Sequence, residues 1–209
     1  MKVHIHGPRF STFVRSVMLC CEEKGVPYEL GLEKENAAGQ RLSDLHPFGK
    51  LPVLLHGERV IYETAPICRY LDNAFEGAAL QSDDPYQRAL EDQWTHAITC
   101  YIDKPIVRDY LLEFAFPKGE GGSLRKDVVL ANTPAVRQSL ATLESQLAEQ
   151  SFICGEQFSI ADALLIPMLD YLSGLPQGID LFEESQNCLL YIKRMRERAS
   201  CRRVLAKEY

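Results

Sequence analysis

The chain changes character near Asp84, and that change constrains its fold more than any single motif. Before it, short β-like runs alternate with helical ones; after it, one helical pattern follows another. Alternation of the first kind marks a sheet packed with helices, and an unbroken helical succession marks an all-α unit. From Lys2 to His6, β-branched Val3 and Ile5 alternate with other residues, and Gly7 and Pro8 end the strand ahead of a helical run from about Thr12 to Lys24. Gly25 stops that helix and Pro27 restarts an extended chain, so a second strand is centred on Tyr28. After an irregular polar stretch, "LPVLLHGERVIYE" reads as a hairpin turning at Gly57, followed by a helix that starts near Glu63 and Thr64, with the Thr64 hydroxyl as its cap, and continues through Ile67 and Leu71. The order βαβ, loop, ββα predicts an α/β domain over residues 1–77 with helices on both faces of its sheet, then a linker over 78–85.

The remainder, 86–209, reads as an all-helical domain. Tyr86 to Phe116 is a long helical stretch that Pro105 is expected to kink or divide. Pro134 suits the first turn of the next helix, and Val136, Leu140, Leu143 and Leu147 follow at amphipathic spacing. Two further helices are expected, at about 160–172 and 189–203. A net charge of −6 provides no general attraction to phosphate backbones or anionic lipid, so neither nucleic acid nor membrane is an expected partner. The basic residues of the last helix, Lys193 to Arg203, stand beside acidic neighbours and read as a solvated face. "MKVHIHG" lacks the apolar stretch of an export signal, which places the protein in the cytoplasm. Its seven cysteines are scattered through apolar helical patterns and read as reduced core thiols, with neither CxxC nor zinc-ligand spacing. His4 and His6 read as packed strand residues, and no metal is expected.

Four segments carry chemistry. "GPRFSTFVRSV" sets Ser11 at the entrance of the first helix with Arg15 four residues on; taken alone, Ser11 is a helix cap. "HPFGKLPV" puts Pro52 at the start of the third strand and Lys50 just before it, where a plain exposed loop lysine is the other reading. "YETAPICRYL" places Glu63 and Thr64 at a helix N-terminus, a favourable place for an anion and also an ordinary helix start. "FSIADALLIPML" sets Ser159 and Asp162 at capping-box spacing, a structural element.

In this order the four segments resemble the cytosolic glutathione transferase family across almost the whole chain, and most nearly its serine-dependent theta and phi classes. The first is similar to the activating-serine segment, the second to "NPFGxVP", the third to "ESxAI" and the fourth to "SxAD". The resemblance implies a thioredoxin-like α/β N-terminal domain plus an all-α C-terminal helical domain, and a transferase with glutathione as cosubstrate. Ser11 would then hydrogen-bond the glutathione sulfur at the positive end of a helix and favour the thiolate. A cis Leu51–Pro52 bond would let the Leu51 main chain pair with the cysteinyl backbone of glutathione. Lys50 would approach a glutathione carboxylate, Thr64 would bind the γ-glutamyl carboxylate, and Glu63 would pair with its ammonium. Thr12, Phe13, Tyr101 and Arg108, with Trp94 and Ile102, are candidates for a hydrophobic electrophile pocket. The resemblance also implies a cytoplasmic homodimer with a role in detoxification.

The sequence departs from the family in one loop. Many serine-class relatives hold the glycyl carboxylate with basic residues ahead of "NPFG", where this chain has "NAAGQRLSDL" and only Gln40 and Arg41 as substitutes. That loop keeps open a non-catalytic binding module in a protein assembly; a glutathione-dependent isomerase is a further alternative, disfavoured because "GPRFSTFVR" lacks the serine- and cysteine-rich signature of the zeta class. Cysteine-based thiol transfer is disfavoured, because Cys20 and Cys21 fall well inside the first helix.

Overall fold

Val3 and Ile5 bury their branched side chains and form β1 (Val3–His6) in the computed structural model of the protein, which describes residues 2–31, 45–176 and 180–206. β1 pairs in parallel with β2 (Tyr28–Gly31), His6 lying opposite Gly31. On its other side it pairs antiparallel with β3 (Val53–His56), which turns at Gly57 into β4 (Arg59–Tyr62). Gly57 has a φ of 62°, the left-handed conformation that the two-residue turn requires. The sheet order is β2-β1-β3-β4, with the βαβ unit and the hairpin joined along the β1–β3 pairing.

Between β1 and β2 runs α1 (Thr12–Lys24), capped by Ser11 and ended by Gly25, whose N–H at φ 68° returns to the carbonyls of Cys21 and Glu22. α1 packs on α2 (Thr64–Ala74), and both touch the sheet. α1 and α2 lie together on one face of the sheet. Val14, Val17, Met18 and Leu19 of α1 and Ile67 and Leu71 of α2 are fully buried. Cys20 and Cys68 are fully buried in the same layer.

The residues after α2 are fastened down. Asp72 accepts bonds from Lys24 Nζ, Leu80 N and Gln81 Nε2, each at 2.9 Å, and Lys24 also donates to the Ala78 carbonyl at 3.1 Å. Gly77 lies so close that a Cβ there would sit 2.5 Å from the Lys24 carbonyl oxygen. The expected linker over 78–85 is therefore pinned, in its first residues, to the ends of α1 and α2.

The chain forms two compact units, Met1–Arg88 with Arg198–Tyr209, and Ala89–Glu197. The single terminal helix expected at 189–203 is two helices, α7 (Gln186–Glu197) and α8 (Ala199–Val204). Arg198 between them is extended, at φ −68° and ψ 141°, and it grips Glu23 of α1 with two N–H groups while Ser200 bonds the same carboxylate. Long-range charge pairing breaks a run that local periodicity would continue, and α8 belongs to the first unit by its packing on α1.

α3 (Pro85–Ala97), whose residues from Ala89 on belong to the second unit, continues through two wide, π-type stretches, Ile98–Ile102 and Lys104–Leu111, into α4 (Leu112–Ala115). Pro105 thus does not divide the run, which widens around it. A proline withholds its N–H and crowds the carbonyl four residues back, and a wider turn relieves both. Pro134 is likewise not in a first turn, because α5 spans Lys126–Leu147 and holds it inside. The helix starts early because Arg125, just ahead of it, clasps Glu113. Near the missing proline N–H, Asn132 and Thr133 donate to the Val128 and Val129 carbonyls. Val136, Leu140, Leu143 and Leu147 are buried, as their spacing requires.

α6 (Ile160–Ser173) is buried through most of its length. At its start Asp162, fully buried, accepts bonds from Ser159 N, Ser159 Oγ and Ile153 N at 2.9 Å and from Tyr191 Oη–H at 3.0 Å. One carboxylate thereby joins the loop before α6 to α7. Glu144 of α5 caps α7 through the amides of Asn187 and Cys188, each at 3.0 Å. Five cysteines are buried, whereas Cys100 is exposed and Cys154 half-buried, so the core-thiol reading fails for those two. Among the described residues no helix is long and apolar enough to cross a membrane.

Two outcomes test these anchors. Asp162→Ala leaves several buried donors without an acceptor and should cost at least about 3 kcal/mol, read as a lowered urea midpoint. For Asp72, burial alone would raise the pKa, but the bonds from Gln81, Leu80 and Lys24 outweigh it and hold the carboxyl below its ordinary value. Its stabilisation is complete above the unfolded value of about 3.9 and is lost as pH falls through the lowered folded value. Asp72→Asn should be less stable at neutral pH, and its urea midpoint should converge with that of the parent as pH falls through that lowered value.

Candidate functional site

Register alone brings three segments to one end of the first unit's sheet. β1 ends at His6, which pairs with Val53 at the start of β3, and Val53 pairs with Tyr62 at the end of β4. The turn Gly7–Ser11, the peptide Leu51–Pro52 and the step Glu63–Thr64 therefore emerge side by side. Gly7 permits the approach. A Cβ there would meet Val14 Cγ2 at 2.4 Å and Leu51 Cβ at 3.7 Å, and its φ of 154° is one that side chains rarely adopt.

Ser11 is half-buried at the N-terminus of α1, and its Oγ accepts a long bond, 3.5 Å, from Val14 N. Capping and activation are compatible, because a hydroxyl that accepts an N–H keeps its own proton to donate. The turn that carries it is tied back by Arg15 Nε, which donates to the Arg9 carbonyl at 3.0 Å, and by Arg9, which donates to the Arg203 carbonyl at 2.8 Å.

The Leu51–Pro52 bond is cis, as the resemblance implies. Pro52 is buried while Leu51 remains 37 % exposed, and Lys50 is exposed beside it. Opposite them Glu63, rather than Thr64, is the N-cap of α2, and its side chain makes no cap bond. The sequence reading of a Thr64 cap is corrected here: Thr64 is the first helical residue and is buried. Among the described residues Glu63 is the one non-glycine with positive φ, at φ 69° and ψ 127°. Such a backbone costs of order 1–3 kcal/mol and persists where the surroundings impose it. The first N–H groups of α2 are thus left without a side-chain cap, a site suited to a carboxylate.

His46 completes this end of the sheet. It is buried, its ring lies 4.7 Å from that of Tyr62, its Nδ1 accepts Phe48 N–H at 3.1 Å, and its Nε2 lies 3.6 Å from Glu63 Oε1.

The pocket candidates divide between the units. Thr12, buried, and Phe13, half-buried, belong to the first; Trp94, Tyr101, Ile102 and Arg108 belong to the second. There Tyr101 is 77 % exposed, Ile102 is buried, and Arg108 donates to Asp103 at 2.7 Å. Burial raises the Asp103 carboxyl above its ordinary value despite that guanidinium. Gln40 and Arg41 lie outside the described residues. Among the described residues no cluster of three or more His, Cys, Asp or Glu side chains is placed to hold a metal ion.

Comparison with known proteins agrees with this geometry. The family model described as glutathione S-transferase, N-terminal domain, matches residues 10–74, and that for the C-terminal domain matches 127–194. Glutathione S-transferase F14 of Arabidopsis thaliana is 31% identical over 163 residues, covering 75% of this chain and 64% of that protein. A glutathione S-transferase of Silene vulgaris is 27% identical over 99% of this chain and 98% of its own length. The chain belongs to the glutathione S-transferase family. A theta-class glutathione S-transferase from Xanthomonas axonopodis pv. citri, solved with glutathione bound, superposes with a TM-score of 0.84 at 25% identity over 99% of this chain and 98% of that one. The thioredoxin-like domain followed by helices is the architecture of this family.

Two residues that shape this end of the sheet escaped the sequence reading. Gly7 was legible only as a strand breaker, since its contact with Val14 and Leu51 is tertiary. His46 stood in plain view in "HPFG", but its tautomer and its neighbour Glu63 depend on a turn and a register that the sequence does not display. Gly7→Ala should lose about 2 kcal/mol or more of stability through the clash with Val14, and glutathione affinity should fall with it. Urea titration and calorimetry measure the two effects.

Proposed function

We propose that this transferase adds glutathione to a hydrophobic electrophile, with Ser11 stabilising the attacking thiolate. The observation that carries the reading is the geometry of Ser11, an N-cap whose oxygen accepts Val14 N–H and whose proton remains available. A free thiol of this type has a pKa near 8.5, so little thiolate exists at neutral pH without help. An O–H donated to sulfur, at the positive end of α1, lowers that value and raises the thiolate fraction. The carbon–sulfur bond forms as the thiolate displaces a leaving group or adds to a polarised double bond.

In this reading the Leu51 main chain pairs with the cysteinyl backbone, and Lys50 meets a glutathione carboxylate. The γ-glutamyl carboxylate occupies the uncapped start of α2 at Thr64, and the Glu63 carboxylate takes the ammonium. Thr12, Phe13, Tyr101 and Arg108 contribute to the electrophile's surroundings, and the working form is a cytoplasmic homodimer. Sequence resemblance, the convergence of these segments at one sheet end and the family's own chemistry support the assignment.

Ser11→Ala should lower kcat for a chlorinated aromatic substrate by roughly 10²-fold or more while glutathione affinity stays within about threefold. Ultraviolet titration of the bound thiol should show its ionisation midpoint raised in the variant. Unchanged turnover removes Ser11 from the mechanism.

A further inference from the structure

We propose that His46 is a positioning residue that holds the Glu63 carboxylate toward a free α-ammonium, so that this chain discriminates glutathione from ligands lacking that group. The inference rests on the reading of Glu63 as the ammonium's partner. It starts from a departure in the sequence, since the family segment similar to "HPFG" begins with Asn and this chain has His46 there.

Three observations fix what the imidazole does. Its side chain is only 2% exposed, held between the ring of Tyr62 at 4.7 Å and the edge of Phe48 at 6.1 Å. Phe48 N–H donates to Nδ1 at 3.1 Å, so Nδ1 is an acceptor and the neutral ring carries its proton on Nε2. Nε2 lies 3.6 Å from Glu63 Oε1, beyond hydrogen-bond length, so its N–H acts on the carboxylate through electrostatic attraction, which biases the rotamer without pairing the charge. The Glu63 side chain is 59% exposed and would otherwise sample several rotamers in water.

A neutral donor suits the task. Lysine or arginine in this place would neutralise Glu63 and compete with the ligand's ammonium, whereas an imidazole N–H restrains one carboxylate oxygen and leaves the full negative charge for the ligand. The backbone of Glu63 is already set by its positive φ, so His46 restrains the remaining freedom, that of the side chain.

The test uses the full chain, with calorimetric titration of glutathione and of glutaryl-cysteinyl-glycine, the same tripeptide without its amino group. In His46→Asn the shorter amide oxygen can still accept Phe48 N–H two residues on, but nothing reaches Glu63. Wild type should prefer glutathione, and the Asn variant should lose roughly three- to tenfold of that preference, with the affinity for the analogue unchanged. His46→Gln, whose amide N–H lies where Nε2–H lay, should restore it. His46→Phe keeps a ring on Tyr62 without either nitrogen and serves if the Asn variant does not fold; it too should lose the preference. A preference retained by the Asn or Phe variant, or a loss equal for both ligands, overturns the role of His46 and leaves Glu63 standing. Equal affinity of wild type for both ligands overturns the assignment of Glu63 itself, and His46 falls with it.

Discussion

Pairing of β3 between β1 and β4 is the constraint on which the first unit's chemistry depends. Because His6 faces Val53 and Val53 faces Tyr62, three chain reversals meet at one sheet end without any side chain having to bridge them. A slip of one residue in either pairing would turn every side chain of the slipped strand to the opposite face. The buried Val3, Ile5, Val53 and Leu54 hold that register, so the same apolar contacts that stabilise the sheet also set the geometry of Ser11, Leu51 and Glu63. Gly7 lets the reversals close, and the chain from Arg9 to the Arg203 carbonyl holds the turn from behind. Stability and site geometry here share one cause.

The groups at that sheet end are mostly neutral donors and backbone amides. Ser11 Oγ–H, the Leu51 main chain, the uncapped amides of α2 and the His46 Nε2–H are all poorly suited to holding an ion in bulk water, where solvent competes with them. They become effective where two or three converge on one group, because each then replaces a water without bringing a counter-charge to be desolvated. Glu63 is the exception, a charged group kept in solvent contact and aimed by a neutral neighbour.

Local pattern carried the architecture a long way. α1 begins and ends where Ser11 and Gly25 say it should, and the hairpin turns at Gly57. The buried stripe from Val136 to Leu147 also follows its spacing. The failures share a physical reason. Pro105 and Pro134 were read as helix punctuation, and at both the lost N–H is accommodated, by wider turns in one case and in the other because the carbonyl four residues back belongs to Leu130, an exposed residue open to water. Arg198 breaks a periodic helix because Glu23, far away in sequence, binds its guanidinium. Ser11, Glu63 and Thr64 could be named from their motifs, whereas the role of His46 depends on which nitrogen accepts Phe48 N–H, a fact of the folded turn.

The chain's own thiols bear on the mechanism by contrast. Cys20 is raised well above its ordinary pKa, first by its hydrogen bond with Cys68 and then by burial, and burial raises Cys21 beside it. Burial lifts Cys154 and Cys188 to about 12. At neutral pH these groups are protonated and poor nucleophiles. Two of them lie inside α1, whose N-terminus is the place where a thiolate is favoured, yet they gain nothing from it because the dipole's effect fades within the first turn while desolvation persists. In the proposed mechanism a thiol brought from outside and set beside Ser11 meets the opposite balance, a hydroxyl donor and helix amides with partial access to solvent. One helix can therefore keep its resident sulfur inert while activating a visiting one, and the difference is depth along α1 rather than any difference in the thiols themselves.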